Sequence, residues 1–378
     1  MEKILINLIP AILISFVAQL TLHEMGHFIG GFISGWRFLY IQVHRIILLR
    51  SDNRFKVMLV KDKGYRCIMY PMSLGTGGLI YTMGGCIVNL LSGISCIIIM
   101  ITVSLSPVLW LYLWCLAVFG IGLFIMNGVA STKRVCNDKA CYNLLKEDEQ
   151  TRLCHNAQLL IAKDLAHGLT YKEMRKDLIC LCQDDAKNDI QAYQAVIEYY
   201  YHLDKDNYTK MRNAINKVHE KESLSKEISD IVEMELYYVL LLSAIKLQVG
   251  ISSDNNKTIN EVHEKANINN KEVYKKTHDC KNKCSLNLGD IKKSINNHKK
   301  DGDIHTHRVM AVYDAYICFV EGNMDKARET LNERIKLMEK ANVAYTGEKK
   351  FCINELLKVK RIMESSIGAN RGDKACVI

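Results

Sequence analysis

Between Cys67 and Thr132 the chain carries no Lys, Arg, Asp, Glu or His. A soluble fold rarely goes that far without a charge. Within the stretch lie two apolar runs, at about 79–105 and 108–126. Each is long enough to cross a bilayer core as a helix, which takes about 20 residues. A third apolar run precedes them at about 4–22 and keeps a helical pattern toward Gly35. No small-residue cleavage site follows it, so it reads as a retained membrane helix and not a signal peptide. The tetrapeptide "SLSP" at 104–107 separates the last two runs, and Pro107 suits the first turn of a helix. From Lys133 onward the chain is rich in Lys, Glu, Asp and Asn. The expected architecture is therefore an all-α polytopic membrane core over about 1–145, followed by an α-helical, solenoid-like soluble domain over 146–378.

The first two runs are joined by a segment, 37–71, rich in Ile, Val, Leu, Phe and Tyr, with "SDN" at its centre. That pattern predicts a β-hairpin insert. It carries Arg37, Arg45, Arg50, Arg54, Lys56, Lys61, Lys63 and Arg66. Basic loops stay on the cytoplasmic side. Three crossings put the hairpin and the C-terminal part on one side and the uncharged "SLSP" turn on the other. The expected placement is a multi-pass protein of the cell membrane, with the N-terminus outside and the C-terminal domain in the cytoplasm.

The formal net charge of +9 fits that positive-inside bias. No interleaved basic and aromatic platform is visible, so no nucleic-acid partner is expected. Fourteen cysteines are scattered without framework spacing, which suits free thiols in a reducing compartment.

The first apolar run ends in "TLHEMGHFIGG" (21–31). Residues four apart share a helix face, so His23 and His27 can offer two imidazole nitrogens to one ion. Glu24 is offset by one position, placed to accept a proton from water. This is the HExxH pattern of zinc hydrolases, in which the metal acidifies water and the glutamate is the general base. Titratable groups at membrane depth are costly and mark function. One Zn2+ per chain is the expected cofactor. A catalytic zinc site takes three protein ligands and leaves one position open. The third must reach the depth of His23 and His27, which means just past the end of the third crossing. Asp138 is the first carboxylate there, in "NGVASTKRVCNDKACYNLL". The same position also reads as a solvated helix cap, and Glu147, Asp148 and His155 follow as further candidates. In the second crossing, "MGGCIVNLLSG" places Gly84, Gly85, Ser92 and Gly93 where helices approach closely. Asn89 in the same run is either an oxyanion or substrate contact or an inter-helix hydrogen bond.

These features resemble the site-2 protease family of intramembrane zinc metalloproteases: "HEMGH" at the end of a first core helix, a hairpin insert, a Gly-Gly…Asn helix, and a third helix followed by an aspartate. The resemblance covers about residues 1–145. It implies a three-helix core that cleaves peptide bonds within or beside the bilayer. By the same resemblance His23, His27 and Asp138 match the zinc ligands, Glu24 the catalytic glutamate and Asn89 the motif asparagine. The chain departs from the family pattern where Ala130 stands for a proline, Asn137-Asp138-Lys139 for Leu-Asp-Gly, and Cys86 for a proline after the glycine pair.

After Thr132 there is no proline, and apolar residues recur at helical spacing. In "YDAYICFVEGNMDKARETLNERI" (313–335), Tyr313, Ala315, Ala327 and Leu331 bracket a Gly322-Asn323 turn, as in a tetratricopeptide helix hairpin. Segment 191–219 is a weaker copy, and the apolar helix at 231–247 is expected to pack between them. Residues 251–307 read as a polar insert, with His305 and His307 solvated. His278, Cys280 and Cys284 offer a weak second metal pattern, and the terminal "CVI" is one residue short of a prenylation box.

The expected activity is an intramembrane zinc endopeptidase acting on a peptide or single-span membrane protein, with the helical tail open to a protein partner. A non-catalytic membrane scaffold whose tail recruits a partner is the alternative. A membrane zinc hydrolase acting on lipid is a third.

Overall fold

The computed structural model describes residues 2–51, 54–131, 136–181, 185–218, 224–249, 291–293 and 303–372. His278, Cys280, Cys284 and the terminal "CVI" lie outside the described residues, as does most of the insert expected at 251–307.

Three helices are long and apolar enough to cross a membrane: Leu5–Ile33, Leu79–Thr102 and Pro107–Gly128. They are the body of α1 (Glu2–Ile33), α2 (Leu79–Thr102) and α3 (Pro107–Gly128). All three pack on one another. Their outer faces stay apolar and exposed, as at Ile9, Ile101 and Met126, a surface compatible with a bilayer. Ser106 caps α3 by accepting from the Leu109 N–H, with Pro107 next, so the "SLSP" turn is built as its residues dictate. Close approach of α1 and α2 depends on paired glycines. A Cβ on Gly26 would strike the Gly84 carbonyl, and a Cβ on Gly84 would strike that of Gly26.

Strands β1 (Arg37–Ser51) and β2 (Arg54–Tyr70) form the two-stranded antiparallel hairpin. Its register breaks at His44, whose φ is 56°. The bulge is held by the Gln42 amide, which donates to the carbonyls of His44 at 2.9 Å and Asp62 at 3.0 Å. One hairpin face buries Leu39, Ile47, Leu49, Met58 and Val60 beneath the helices that follow the three apolar ones.

Those helices are α4 (Asp138–Glu147), α5 (Glu149–Ala166), the single turn α6 (Lys176–Ile179), α7 (Asp189–Asp204), α8 (Tyr208–Asn216), α9 (Lys226–Gln248), α10 (Ile304–Val320), α11 (Met324–Lys340) and α12 (Thr346–Gly372). α7 with α8, and α10 with α11, form helix hairpins. Gly322 turns the second with φ of 77°, a left-handed value that glycine adopts freely. Tyr313, Ala315, Ala327 and Leu331 are buried, as the helical spacing predicts. α9 packs against α7, α10 and α12 and sits inside the main hydrophobic core of the C-terminal helices.

Two sequence expectations are corrected here. α10 begins at Ile304, capped by Asp303, so the insert does not extend to 307. His305 is not solvated either. Its ring stacks on Tyr200 with centroids 4.5 Å apart, and its Nε2 lies 2.9 Å from Glu348. The histidine pair is read as a loop only when the helix start is missed; the Asp303 cap on the His305 and Thr306 N–H groups was the available signal. All ten cysteines among the described residues are free thiols.

Candidate metal centre

Ser15, Gln19, His23 and His27 stand at intervals of four along α1, and all four are buried against α2 and α3. This stripe is what a helix must do with polar groups at membrane depth: turn them inward and pair them. Ser15 donates to the Tyr112 carbonyl at 3.4 Å. Gln19 donates to the Leu116 carbonyl at 2.9 Å and accepts from Ser92 at 3.0 Å.

His23 and His27 differ, because their Nε2 atoms face each other at 3.2 Å. Asp138 Oδ2 lies 3.1 Å from the first and 3.5 Å from the second. The three ligand-type atoms all lie within 4.8 Å of one another. Asp138 reaches them because its neighbour takes the capping work. Asn137 accepts from the Ala140 N–H, and its amide donates to the carbonyls of Met126 and Val129 at 3.0 and 2.7 Å. Asp138 is then the first residue of α4, with its carboxylate free to point back at the core. Burial works to raise this carboxyl, but the imidazoles of His23 and His27 beside it outweigh that and hold it well below the usual carboxylate range.

The remaining ring nitrogens are also engaged. His27 Nδ1–H donates to the Tyr81 carbonyl at 2.8 Å, which leaves Nε2 as the lone-pair nitrogen. His23 Nδ1 lies 3.1 Å from the Asn89 side-chain nitrogen. Asn89 is wholly buried, and its Oδ1 has no partner among the described residues. Glu24 is buried beside the pair, within hydrogen-bond reach of the Cys67 backbone on β2. Tyr81 fixes that strand by donating to the Cys67 carbonyl at 2.7 Å.

The donor set of two imidazoles and one carboxylate is a zinc set. Gly85 adds an independent observation. A Cβ there would press on Nε2 of both His23 and His27, the space that a shared ion needs. The residues present therefore fit a zinc ion.

The other ligand candidates fall elsewhere. Glu147 is exposed in the last turn of α4. Asp148 caps α5 by accepting from Gln150 and Thr151. His155 packs beside Trp36, with ring centroids 6.4 Å apart, and burial pushes its imidazole down to about 4. Sequence reasoning missed Gln19, visible as the residue four before His23, and Cys86, whose thiol donates to Asp138 Oδ2 at 3.4 Å. It also missed a grouping of Cys180, Glu198 and His202 in the tail. There Lys217 Nζ lies 2.7 Å from Glu198 and holds that carboxylate as an ion pair.

Comparison with protein-family models, curated proteins and solved structures gives no match to this chain.

Proposed function

We propose that the chain is an intramembrane zinc endopeptidase of the site-2 protease type. The observation that carries this reading is the convergence of His23 and His27 Nε2 with Asp138 Oδ2, with Glu24 buried one residue from the first histidine. A purely structural zinc site has no use for that glutamate. The three apolar helices support placement in a membrane. The basic hairpin and the uncharged α2–α3 turn favour the N-terminus outside and the water-soluble helices in the cytoplasm. The paired helix hairpins of the tail support a tetratricopeptide-like, solenoid-type reading and a protein-binding role for it.

His23 and His27 would hold zinc through Nε2, and Asp138 through Oδ2. When bound, zinc supplies Lewis-acid polarisation of a peptide carbonyl and acidification of water. Glu24 accepts the proton released at that water and returns it to the departing amide nitrogen. Tyr81 and Asn89 keep the two imidazoles oriented. Gly85 keeps the approach to the histidines open. The β2 backbone at Cys67 steadies Glu24 at the rim, where a substrate strand can pair with the hairpin edge.

The test is co-expression of Glu24→Gln with single-span membrane proteins that the unaltered chain cleaves. Cleavage is expected to fall by at least about 100-fold, the usual share of a general base. Cleavage at an unchanged rate refutes the mechanism. Asp138→Ala in purified protein is expected to lose stoichiometric zinc; retained zinc would remove that residue from the ligand set alone.

A further inference from the structure

The hairpin does not run straight away from the apolar helices. Phe38 stands near the start of β1, and Phe55, opposite Arg50, stands near the tip. A straight ribbon would separate the two by about 40 Å, at roughly 3.3 Å per residue. Their ring centroids lie 6.2 Å apart. The ribbon therefore doubles back at the bulge beside His44, where the register breaks. The Phe38 ring in turn lies 5.6 Å from that of Phe28 on α1. The tip is thereby brought beside the end of the first apolar helix, where Phe32 and Ile33 are 72% and 65% exposed.

Doubling back gives the two faces of the distal half different surroundings. Cross-strand partners share a face. Ile47 with Met58, together with Leu49 and Val60, faces the cluster that also holds Tyr40 and Ala166. Ile46 with Leu59, Leu48 with Val57, and Phe55 make the opposite face. On it Ile46 is 53% exposed, and Phe55, Val57 and Leu59 are 65%, 69% and 66% exposed. A hairpin with one face on a core and the other in water carries polar residues on the second. A contiguous apolar patch there marks an interaction surface. Bases rim the patch. Arg45, Arg54, Lys56 and Lys63 are exposed and make no ion pair or hydrogen bond among the described residues. Asp62, the one carboxylate among the hairpin's described residues, is bound to Arg66.

We infer that the outer face of the distal hairpin rests on the bilayer, with Phe55, Val57 and Leu59 among the upper acyl chains and Arg45, Arg54 and Lys56 on the phosphates of anionic phospholipids. Continuity with the exposed apolar end of α1 places the patch at the bilayer surface, and charge complementarity selects anionic headgroups. Arginine and lysine stems reach past apolar neighbours to those headgroups. A two-stranded sheet has open edges, which hydrocarbon cannot satisfy. The ribbon therefore lies flat at headgroup level and does not enter the membrane interior. It is held between the bilayer on one face and the C-terminal helices on the other. Membrane placement of the three apolar helices is the premise here; the peptidase chemistry is not.

The test puts the photo-crosslinking residue p-benzoylphenylalanine in place of Val57 in the full-length protein, held in nanodiscs of phosphatidylcholine with phosphatidylglycerol as the minor lipid. Irradiation and mass spectrometry are expected to give lipid adducts at that position, enriched at least about threefold in phosphatidylglycerol over its share of the disc. The same residue in place of Leu337, which is 59% exposed on α11, is expected to give none. The triple variant Arg45→Gln/Arg54→Gln/Lys56→Gln, at exposed positions that do not threaten the fold, is expected to keep the adducts and lose the enrichment. Adducts at 57 to a second copy of the chain, no adducts there, or equal lipid adducts at 57 and 337 overturn the inference. Enrichment that is absent, or unchanged in the triple variant, overturns the choice of anionic headgroups. A chain that does not enter the discs also overturns it, by removing the premise. One that enters them, cleaves its substrate and gives no lipid adduct at 57 fails here alone and leaves the Glu24 chemistry standing.

Discussion

The side chain of Asn89 sits 3.1 Å from Nδ1 of His23, with its oxygen buried and unpartnered among the described residues. With the amide nitrogen facing the ring, Asn89 donates to Nδ1, and Nε2 must carry the imidazole proton. A half-turn of the amide exchanges two groups of nearly equal size. It places Oδ1 on Nδ1–H, satisfies the orphaned oxygen and frees the Nε2 lone pair for a metal. Asn89 thus acts through His23. Asn89→Leu is expected to lower zinc affinity by about 10- to 100-fold, the usual effect of removing an outer-shell partner. Asn89→Asp, which can only accept, is expected to retain it. Competition with a chelator of known affinity measures both.

Gly85→Ala places a methyl group against Nε2 of both histidines. The helix itself tolerates alanine better than glycine. The variant is therefore expected to keep its helical circular dichroism and its thermal stability while losing stoichiometric zinc. Unchanged metal content would show that the histidines can part to make room.

Arg308 is wholly buried and holds both oxygens of Glu235, at 2.6 and 2.5 Å. Its Nε and Nη1 have no hydrogen-bond partner among the described residues, and its guanidinium carbon lies 4.0 Å from the centre of the Tyr238 ring. Tyr199 and Tyr200 donate to the same carboxylate at 3.1 and 3.0 Å. Removing one partner strands a buried charge. Glu235→Gln is expected to cost about 3–5 kcal/mol, more than the paired exchange Glu235→Leu/Arg308→Met. Chemical unfolding followed by tyrosine fluorescence distinguishes the two.

His305 gives the tail a pH dependence of known sign. Burial opposes its charge, but the Cys352 sulfur and the Glu348 carboxylate beside it raise its value well above the ordinary imidazole range. A raised folded-state value means that the protonated ring stabilises the fold. That contribution is full below the unfolded value, near pH 6.5, and is lost as pH rises through the folded one. His305→Gln is expected to lower the melting temperature at about pH 6 and to narrow its gap from the unaltered protein as pH rises. A gap that stays constant with pH would assign His305 a packing role only.

What the sequence revealed, and what it did not, follows from the range of the forces involved. The three spans and the hairpin were legible because each is a local pattern: an apolar run, or a run of strand-forming residues with a turn at its centre. The meeting of His23, His27 and Asp138 was legible only through the counting of crossings, which turns a long-range contact into a one-dimensional argument. That argument cannot see orientation within the site. It gave Asn89 a choice of roles, and it had no means of noticing that Gly85 must lack a side chain or that Cys86 touches Asp138. His305 failed for a different reason. Its burial depends on Tyr200, Glu348 and Phe351, all far away in sequence, and a His-Thr-His stretch beside a polar segment offers no local hint of them.

The hairpin touches both the apolar helices and the C-terminal helices. Near the candidate metal centre its Cys67 backbone meets Glu24. One register pair away, Tyr40 meets the Tyr345 hydroxyl at 3.1 Å, and beyond the bulge the Leu59 carbonyl accepts from Asn342. The chain consequently has no seam at which to divide it. A version ending after α4 would strip the cover from Leu39, Ile47 and Leu49 and leave a greasy ribbon in water. A tail taken alone would lose the surface on which its α11–α12 turn is moulded. Exchanging the tail for another would require recutting the ribbon as well, so the proposed roles of the tail and of the candidate metal centre would have to change together.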